Sequence, residues 1–211
     1  MTVTVIGGMN MDLLGVPEGT LLFRDSNPGK ILMRPGGVGR NIASRLKGMR
    51  AGRVIGVNRS GVFRGEEDPF DEIHPIGELD GLLGEAGAVI LAVPKLGDTT
   101  RIINAGTIAR MRDGAYLVNV GRGNAVDQAA LIEALNGGKL AGAALDVFET
   151  EPVPPDDPIW DAKNILITPH VSGDTSLSYT RRANVERFLA DLERYAKGEP
   201  LLGLVDPKRG Y

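Results

Sequence analysis

The stretch Arg34-Pro-Gly-Gly-Val-Gly39 has the residue types of a turn that receives a phosphate. Glycines let backbone N–H groups approach an anion closely, and a helix starting at the turn adds the positive end of its dipole. Against the G-x-G-x-x-G spacing of a dinucleotide-binding turn the segment reads R-P-G-G-V-G, with Arg34 at the first glycine position. Gly36, Gly37 and Gly39 are then the backbone positions open to a pyrophosphate. A second cluster, Asn58-Arg59-Ser60, begins 19 residues after Gly39. An acidic residue there would bind the ribose 2′-hydroxyl of NAD, whereas Arg59 and Ser60 favour the 2′-phosphate of NADP. A solvated arginine at a strand end is the plain alternative. His74 and His170 are the only two histidines, and imidazole is the side chain best suited to moving a proton near neutrality. His74 precedes Pro75 in a charged stretch and reads as structural. The chain has no cysteine, which excludes disulfides, thiolate nucleophiles and cysteine-held metals.

These residues sit between segments with a clear alternation. Thr2 to Ile6, Arg53 to Val57, Ala88 to Val93, Tyr116 to Val120, Ala141 to Val147 and Ile165 to Thr168 are short apolar runs. They suit strands buried on both faces of a parallel sheet. Helical patterns separate them: Asn41 to Lys47, Gln128 to Asn136 with Gly137-Gly138 as its stop, and Ser176 to Lys197. In the last, Val185, Phe188, Leu189 and Leu192 form one apolar stripe. Met11 to Arg34 differs, with two short runs around Asn27-Pro28-Gly29 and no helical period. The expected fold is an α/β, doubly wound, mainly parallel sheet of Rossmann-like type, with a β-hairpin inserted after strand one. The 211 residues read as a single domain. Glycine, at 29 residues, is about twice as frequent as the ~7% usual in proteins, as a fold with many tight turns requires.

Composition narrows the partners. With 42% hydrophobic and 24% charged residues the chain is of the globular class, and a net charge of -3 argues against nucleic acid or an anionic membrane surface. No apolar run approaches the ~18 residues of a membrane span, so a cytoplasmic protein with a small-molecule ligand is expected. Self-association through the stripe of the last helix is a further expectation.

From residue 48 onward the chain resembles the D-isomer-specific 2-hydroxyacid dehydrogenases, including the hydroxypyruvate and glyoxylate reductases. The resemblance is carried by Leu117-Val-Asn-Val-Gly-Arg-Gly123, Ala144-Leu-Asp-Val-Phe-Glu-Thr-Glu-Pro152, Thr168-Pro-His-Val-Ser-Gly-Asp-Thr175 and the tail from Pro200 to Tyr211. It implies hydride transfer to a 2-keto acid, with Arg122 as carboxylate anchor, His170 as acid/base and Glu151 as its partner. An arginine binds a carboxylate bidentately without titrating, and a carboxylate behind an imidazole fixes its tautomer. The same resemblance places Val93 and Pro94 near the adenine side of a dinucleotide and Asp146 near the nicotinamide. Taken singly, Arg122 could be a solvated loop residue, Glu151 the end of an acidic loop and His170 a structural histidine.

Residues 1–47 resemble instead the opening of the ribokinase-like carbohydrate kinases, pseudouridine kinases in particular. Val5-Ile-Gly-Gly-Met-Asn-Met-Asp12, Asp25-Ser-Asn-Pro-Gly-Lys30 and Pro35-Gly-Gly-Val-Gly-Arg-Asn-Ile-Ala43 carry that likeness. It implies sugar contacts from Asp12 and Asn41, a hinge at Gly36-Gly37 and a lid in the hairpin. The Gly-Ala-Gly-Asp segment of working kinases is absent from the sequence.

The combined expectation is a chimera, natural or engineered, joined between about Leu46 and Gly52. It would derive from an NAD(P)-dependent 2-hydroxyacid dehydrogenase whose leading substrate domain is missing, with impaired activity. The alternatives are a weakly active NADPH-dependent hydroxypyruvate or glyoxylate reductase and a non-catalytic sugar- or nucleoside-binding module.

Overall fold

The structure is a computed structural model; it describes residues 1–7, 10–17, 29–36, 38–49, 52–62, 69–172 and 178–201. In chain order the elements are β1 (Val3–Gly7), β2 (Asn10–Pro17), β3 (Gly29–Gly36), α1 (Val38–Gly48), β4 (Val54–Asn58), β5 (Glu72–Pro75), α2 (Leu79–Leu82), β6 (Ala88–Ala92), α3 (Ala105–Arg110), β7 (Ala115–Asn119), α4 (Gln128–Asn136), β8 (Leu140–Leu145), β9 (Ile165–Ile167) and α5 (Ser178–Ala196). Seven strands form one sheet in the order β5-β4-β1-β6-β7-β8-β9. Every pairing in it is parallel.

The six apolar runs all become strands of this sheet. The seventh, β5, was not expected, because Glu-Ile-His-Pro is only four residues long and carries a single aliphatic side chain. It lies at the edge, where a polar strand ending in proline is tolerated. The helices between strands are short; α2 and α3 also escaped the sequence reading, each too brief for a helical period to register. Asn104 caps α3, its side chain accepting from the amides of Gly106 and Thr107.

Alternation along the strands divides the apolar side chains between two faces. Ile6, Ile55, Val57, Val89, Leu91 and Leu117 point to the larger core, where Leu83, Leu131 and Leu135 meet them. Val3, Val5, Val54 and Ile90 point to the other, which Ala43 of α1 and Phe70 close. Each fully buried leucine contributes roughly 2 kcal/mol, so α4, with Leu131 and Leu135 inside, is anchored far more firmly than α1. That helix buries only Gly39 and Ala43.

The inserted hairpin is present. β2 and β3 pair antiparallel, from Asn10↔Gly36 to Pro17↔Gly29, in a two-stranded sheet separate from the main one. β1 nevertheless lies at the centre of the main sheet, between β4 and β6. Gly37, the side chain of Asp12, Arg50 and Ala51 at the proposed junction, and the tail beyond residue 201 lie outside the described residues. The stripe of α5 enters neither core: Val185, Phe188, Leu189 and Leu192 are all half-exposed or more. No described helix is long and apolar enough to cross a membrane.

Candidate active site

In a parallel sheet wound in both directions, crossovers on opposite faces diverge where the strand order reverses, opening a crevice at the C-terminal strand ends. Here the reversal falls between β1 and β6. Gly39, Arg59, Val93, Arg122, Asp146, Glu151 and His170 each follow the C-terminal end of a strand or begin the helix after it, whereas Asp12 lies within β2 and His74 within β5.

β7 ends at Asn119, whose side chain is fully buried and folds the following turn over itself. Its Oδ1 accepts from the Gly121 amide at 3.1 Å, and its Nδ2 donates to the Arg122 carbonyl at 3.0 Å. Arg122 is thereby held at the mouth of the crevice with an exposed side chain, and its Nη1 donates to the Gly121 carbonyl at 2.7 Å. The turn can nest there only because glycine flanks it. A Cβ on Gly121 would lie 2.7 Å from the Val93 nitrogen, and one on Gly123 would lie 1.8 Å from the Phe148 carbonyl oxygen.

From the end of β8 the chain supplies Asp146 and Glu151. Glu151 Oε1 accepts from the Phe148 amide at 2.8 Å and its Oε2 meets His170 Nδ1 at 2.6 Å. Burial acts to raise the Glu151 pKa, but the His170 and Phe148 hydrogen bonds outweigh it and the carboxyl is held below its ordinary value. An ionised carboxylate only accepts, so Nδ1 must carry the proton. Nε2 then faces outward, with no partner among the described residues. His170 itself stands in the left-handed region, at φ 55°, where a side chain with a Cβ is disfavoured.

Asp146 is 4% exposed. Its Oδ1 accepts from the Thr168 hydroxyl at 2.5 Å and the Val171 amide at 2.9 Å, and its Oδ2 from the Ser172 amide at 2.9 Å. Burial pushes its pKa up, yet hydrogen bonds from the Ser172 and Thr168 side chains and from two amides prevail, lowering it to about 2.

Glu151 and His170 are therefore in direct contact, and Arg122 shares their edge. β7 and β9 flank β8, which puts their ends roughly 10 Å apart at the usual strand spacing. In the sequence, Asn119 and Thr168 stand out only as parts of motifs. The missed signal was a polar residue ending an apolar strand, which burial obliges to bond with the loop that follows.

The other flank holds the residues expected to meet a dinucleotide. Gly7 ends β1 so close to β6 that a Cβ would lie 2.6 Å from the Ala92 carbonyl oxygen. Gly39 is buried in the first turn of α1, which contains no acidic residue. After β4, Asn58 Oδ1 accepts from the amides of Ser60 and Gly61, and exposed Arg59 pairs with Asp98 at 3.1 Å. After β6, Val93 is buried, and the Pro94 carbonyl accepts from Thr99 Oγ1 at 2.7 Å. This donor set fits a nicotinamide dinucleotide: a helix N-terminus free of carboxylates, glycine contacts and a cation after the second strand of the main sheet. Asn41 is exposed on α1 and accepts from Arg40 Nη1 at 3.5 Å. His74 lies on β5 at the opposite edge, bonded to Glu78 and Glu72. That agrees with a structural role.

Fold and site together define a Rossmann-type nucleotide-binding domain carrying a histidine–carboxylate pair. Residues 32–172 match the family model described as D-isomer specific 2-hydroxyacid dehydrogenase, NAD binding domain. The chain belongs to that family and corresponds to its NAD(P)-binding domain. It is 40% identical over 138 residues to glyoxylate/hydroxypyruvate reductase A of Citrobacter koseri, covering 64% of this chain and 42% of that one. A solved NADPH-dependent glyoxylate/hydroxypyruvate reductase from Sinorhizobium meliloti, in complex with NADP and sulfate, superposes with a TM-score of 0.74 at 29% identity. It covers 100% of this chain and 57% of its own. A Xanthobacter autotrophicus family member in complex with NADPH and MES gives 0.68 at 35% identity, covering 81% and 52%. The chain thus spans about half the length of the relatives it matches. The family match begins at residue 32, inside β3, and so claims the Gly-rich turn and α1 that the kinase resemblance had also claimed.

Proposed function

We propose that this domain serves the reduction of a small 2-keto acid of the hydroxypyruvate or glyoxylate class, with NADPH preferred over NADH. The observation that carries the reading is the 2.6 Å contact between His170 Nδ1 and Glu151, which leaves Nε2 as the ring's working atom. Arg122 binds the substrate carboxylate and draws electron density from the adjacent carbonyl. His170 Nε2 gives its proton to the carbonyl oxygen, and Glu151 stabilises the imidazolium that this donation requires. The nicotinamide, when bound, supplies the hydride. Gly36, Gly37 and Gly39 would receive its pyrophosphate, and Val93 and Pro94 would border the adenine. Arg59, with Asn58 and Ser60, would receive the 2′-phosphate. The Arg59–Asp98 pair does not obstruct this, because exposed ion pairs hold by only about 0–1 kcal/mol.

The kinase-like origin of the opening residues, and hence the chimera, rests on residue pattern alone. The sugar contacts of Asp12 and Asn41 rest on it too. A cytoplasmic setting and association through α5 belong to the same set of expectations.

The test is consumption of NADPH and of NADH with hydroxypyruvate and with glyoxylate, for the wild-type chain and for His170→Ala. Loss of the acid should lower the rate by about 10²–10⁴-fold, and the NADPH rate should exceed the NADH rate. Turnover indifferent to His170→Ala, or absent at saturating cofactor, overturns the proposal.

A further inference from the structure

Two short turns stand on either side of β1, and each is closed by a side chain of its own. After β4, Asn58 Oδ1 accepts from the amides of Ser60 and Gly61, while Asn58 Nδ2 donates to the Val62 carbonyl at 2.9 Å. After β6, Thr99 Oγ1 donates to the Pro94 carbonyl at 2.7 Å and accepts from the Leu96 amide at 3.0 Å. Arg59 and Asp98 are therefore presented by backbone that is already folded, and they meet at 3.1 Å. β4 and β6 are the two neighbours of β1 in the sheet. The ion pair thus ties together the loops that flank the strand from which a dinucleotide would cross. Asp98 also lies on the turn bonded to Pro94, the residue expected to border the adenine.

We propose that Asp98 is a specificity-determining residue that competes with a ribose 2′-phosphate for Arg59 and so sets the margin between NADPH and NADH. The inference deepens the NADPH reading and rests on it for Arg59 as the cation that meets the 2′-phosphate. The Arg59–Asp98 contact is a single end-on bond from Nη2, not the bidentate fork that makes an arginine–carboxylate pair strong. With both side chains exposed, such a bond aims the guanidinium only weakly. A phosphate monoester carries close to two negative charges and is the stronger acceptor, so it draws Arg59 away and Asp98 does not bar it. The carboxylate remains on its closed turn beside the new charge, however, and like charges at that range repel. A neutral 2′-hydroxyl leaves the ion pair in place and meets no such opposition. Aiming Arg59 would strengthen NADPH binding and competing for it weakens NADPH binding; with one exposed end-on bond, the competition is the larger effect.

The experiment measures dissociation constants by calorimetry for NADPH, NADH and 2′,5′-ADP, using the full chain with Asp98→Asn, Arg59→Ala and both together. 2′,5′-ADP carries the phosphorylated ribose without a nicotinamide and so reads the adenosine end alone. Titrations are run at about 0.01 M and about 0.15 M ionic strength, where charges are felt over ~30 Å and ~8 Å. Asp98→Asn should tighten NADPH and 2′,5′-ADP by about 3–5-fold at the lower salt, the scale of exposed charge pairs, and leave NADH within about 2-fold. The gain should shrink at the higher salt. Arg59→Ala should weaken NADPH about 10-fold or more, as loss of a charge-assisted bond predicts. On that background nothing draws the phosphate toward Asp98, so the gain from Asp98→Asn should fall below about 2-fold. Both side chains are exposed and belong to neither core, so the variants should fold.

NADPH binding that weakens in Asp98→Asn would mean that the acid aims Arg59, and binding that does not change would mean that it stands clear of the phosphate; either result overturns the competition. A gain that survives in full without Arg59 overturns it too, because no cation is then shared. Arg59→Ala without effect on NADPH would defeat the cofactor preference itself, a result distinct from an unresponsive Asp98. Binding needs no turnover, so an inactive chain that still takes NADPH would defeat the reductase reading while testing the competition in full. A chain that binds neither nucleotide overturns both.

Discussion

The ends of β7, β8 and β9 and the passage from β1 into α1 belong to one edge of one sheet, yet they are built on different terms. Behind Arg122, Glu151 and His170 every loop is tied by a side chain or a close backbone approach: Asn119 on one turn, Asp146 on the other, and Gly123 pressed against Phe148. The passage from β1 detours through a hairpin that pairs only with itself among the described strands. It re-enters the sheet through a helix that buries a glycine and an alanine. Beyond it, Arg59 and Asp98 meet with 61% of each side chain exposed. Proton transfer and carboxylate recognition depend on placement to within about half an ångström. Holding a long, charged, flexible dinucleotide can be shared among backbone amides and one cation. The more exacting chemistry has the more heavily bonded flank.

That contrast is sharpest at Gly123. Replacing it with alanine puts a methyl group 1.8 Å from a backbone oxygen, with no flexible side chain to move aside. Overpacking of this severity should cost about 3 kcal/mol, read as a lower urea midpoint with an unchanged slope. Tolerance of the alanine would mean that the Arg122 turn is looser than the geometry states.

The Asp146 carboxylate gives the next effect. Its folded pKa, about 2, lies below the 3.8 of the free group. The stability it contributes is therefore complete above about pH 4 and is lost as pH falls through about 2. The linkage is worth about 2 kcal/mol. Glu151 is shifted in the same direction. His74 runs the other way: its carboxylate partners Glu78 and Glu72 raise its pKa, so its contribution is present at acid pH and fades as pH rises above the ordinary imidazole range. Urea midpoints followed from pH 5 to pH 2 should fall in the wild-type chain and fall less steeply in Asp146→Asn. Parallel curves would remove Asp146 as the source.

Much of this was legible beforehand, for identifiable reasons. The six strands first recognised are runs of β-branched and aliphatic residues buried on both faces, which local composition reveals. The histidine–glutamate pair was found by likeness to known motifs; nothing in the 19-residue separation of Glu151 from His170 shows that two strand-end loops converge. β5 stayed hidden because its stability comes from neighbours: β4 beside it, and Arg53 bonded to Glu72. The bonds of Asp146 stayed hidden because they reach the segment after β9, which comes near only once β8 and β9 have paired.

The smallest effect concerns the hairpin. If the two flanks are as independent as their bonding suggests, replacing residues 10–36 with a short glycine-containing turn should leave the seven-stranded sheet intact. The strands removed pair with each other and contribute no rung to it, so the melting temperature should move by no more than about 3 °C, the equivalent of ~1 kcal/mol at this size. The proton NMR signal of the His170 Nδ1–H should not move at all. Affinity for NADPH is where such a change belongs, since the excision rebuilds the approach to α1. A collapse of the His170 signal on excision would mean that the opening segment supports the reacting edge, and the two flanks would then have to be treated as one cooperative unit.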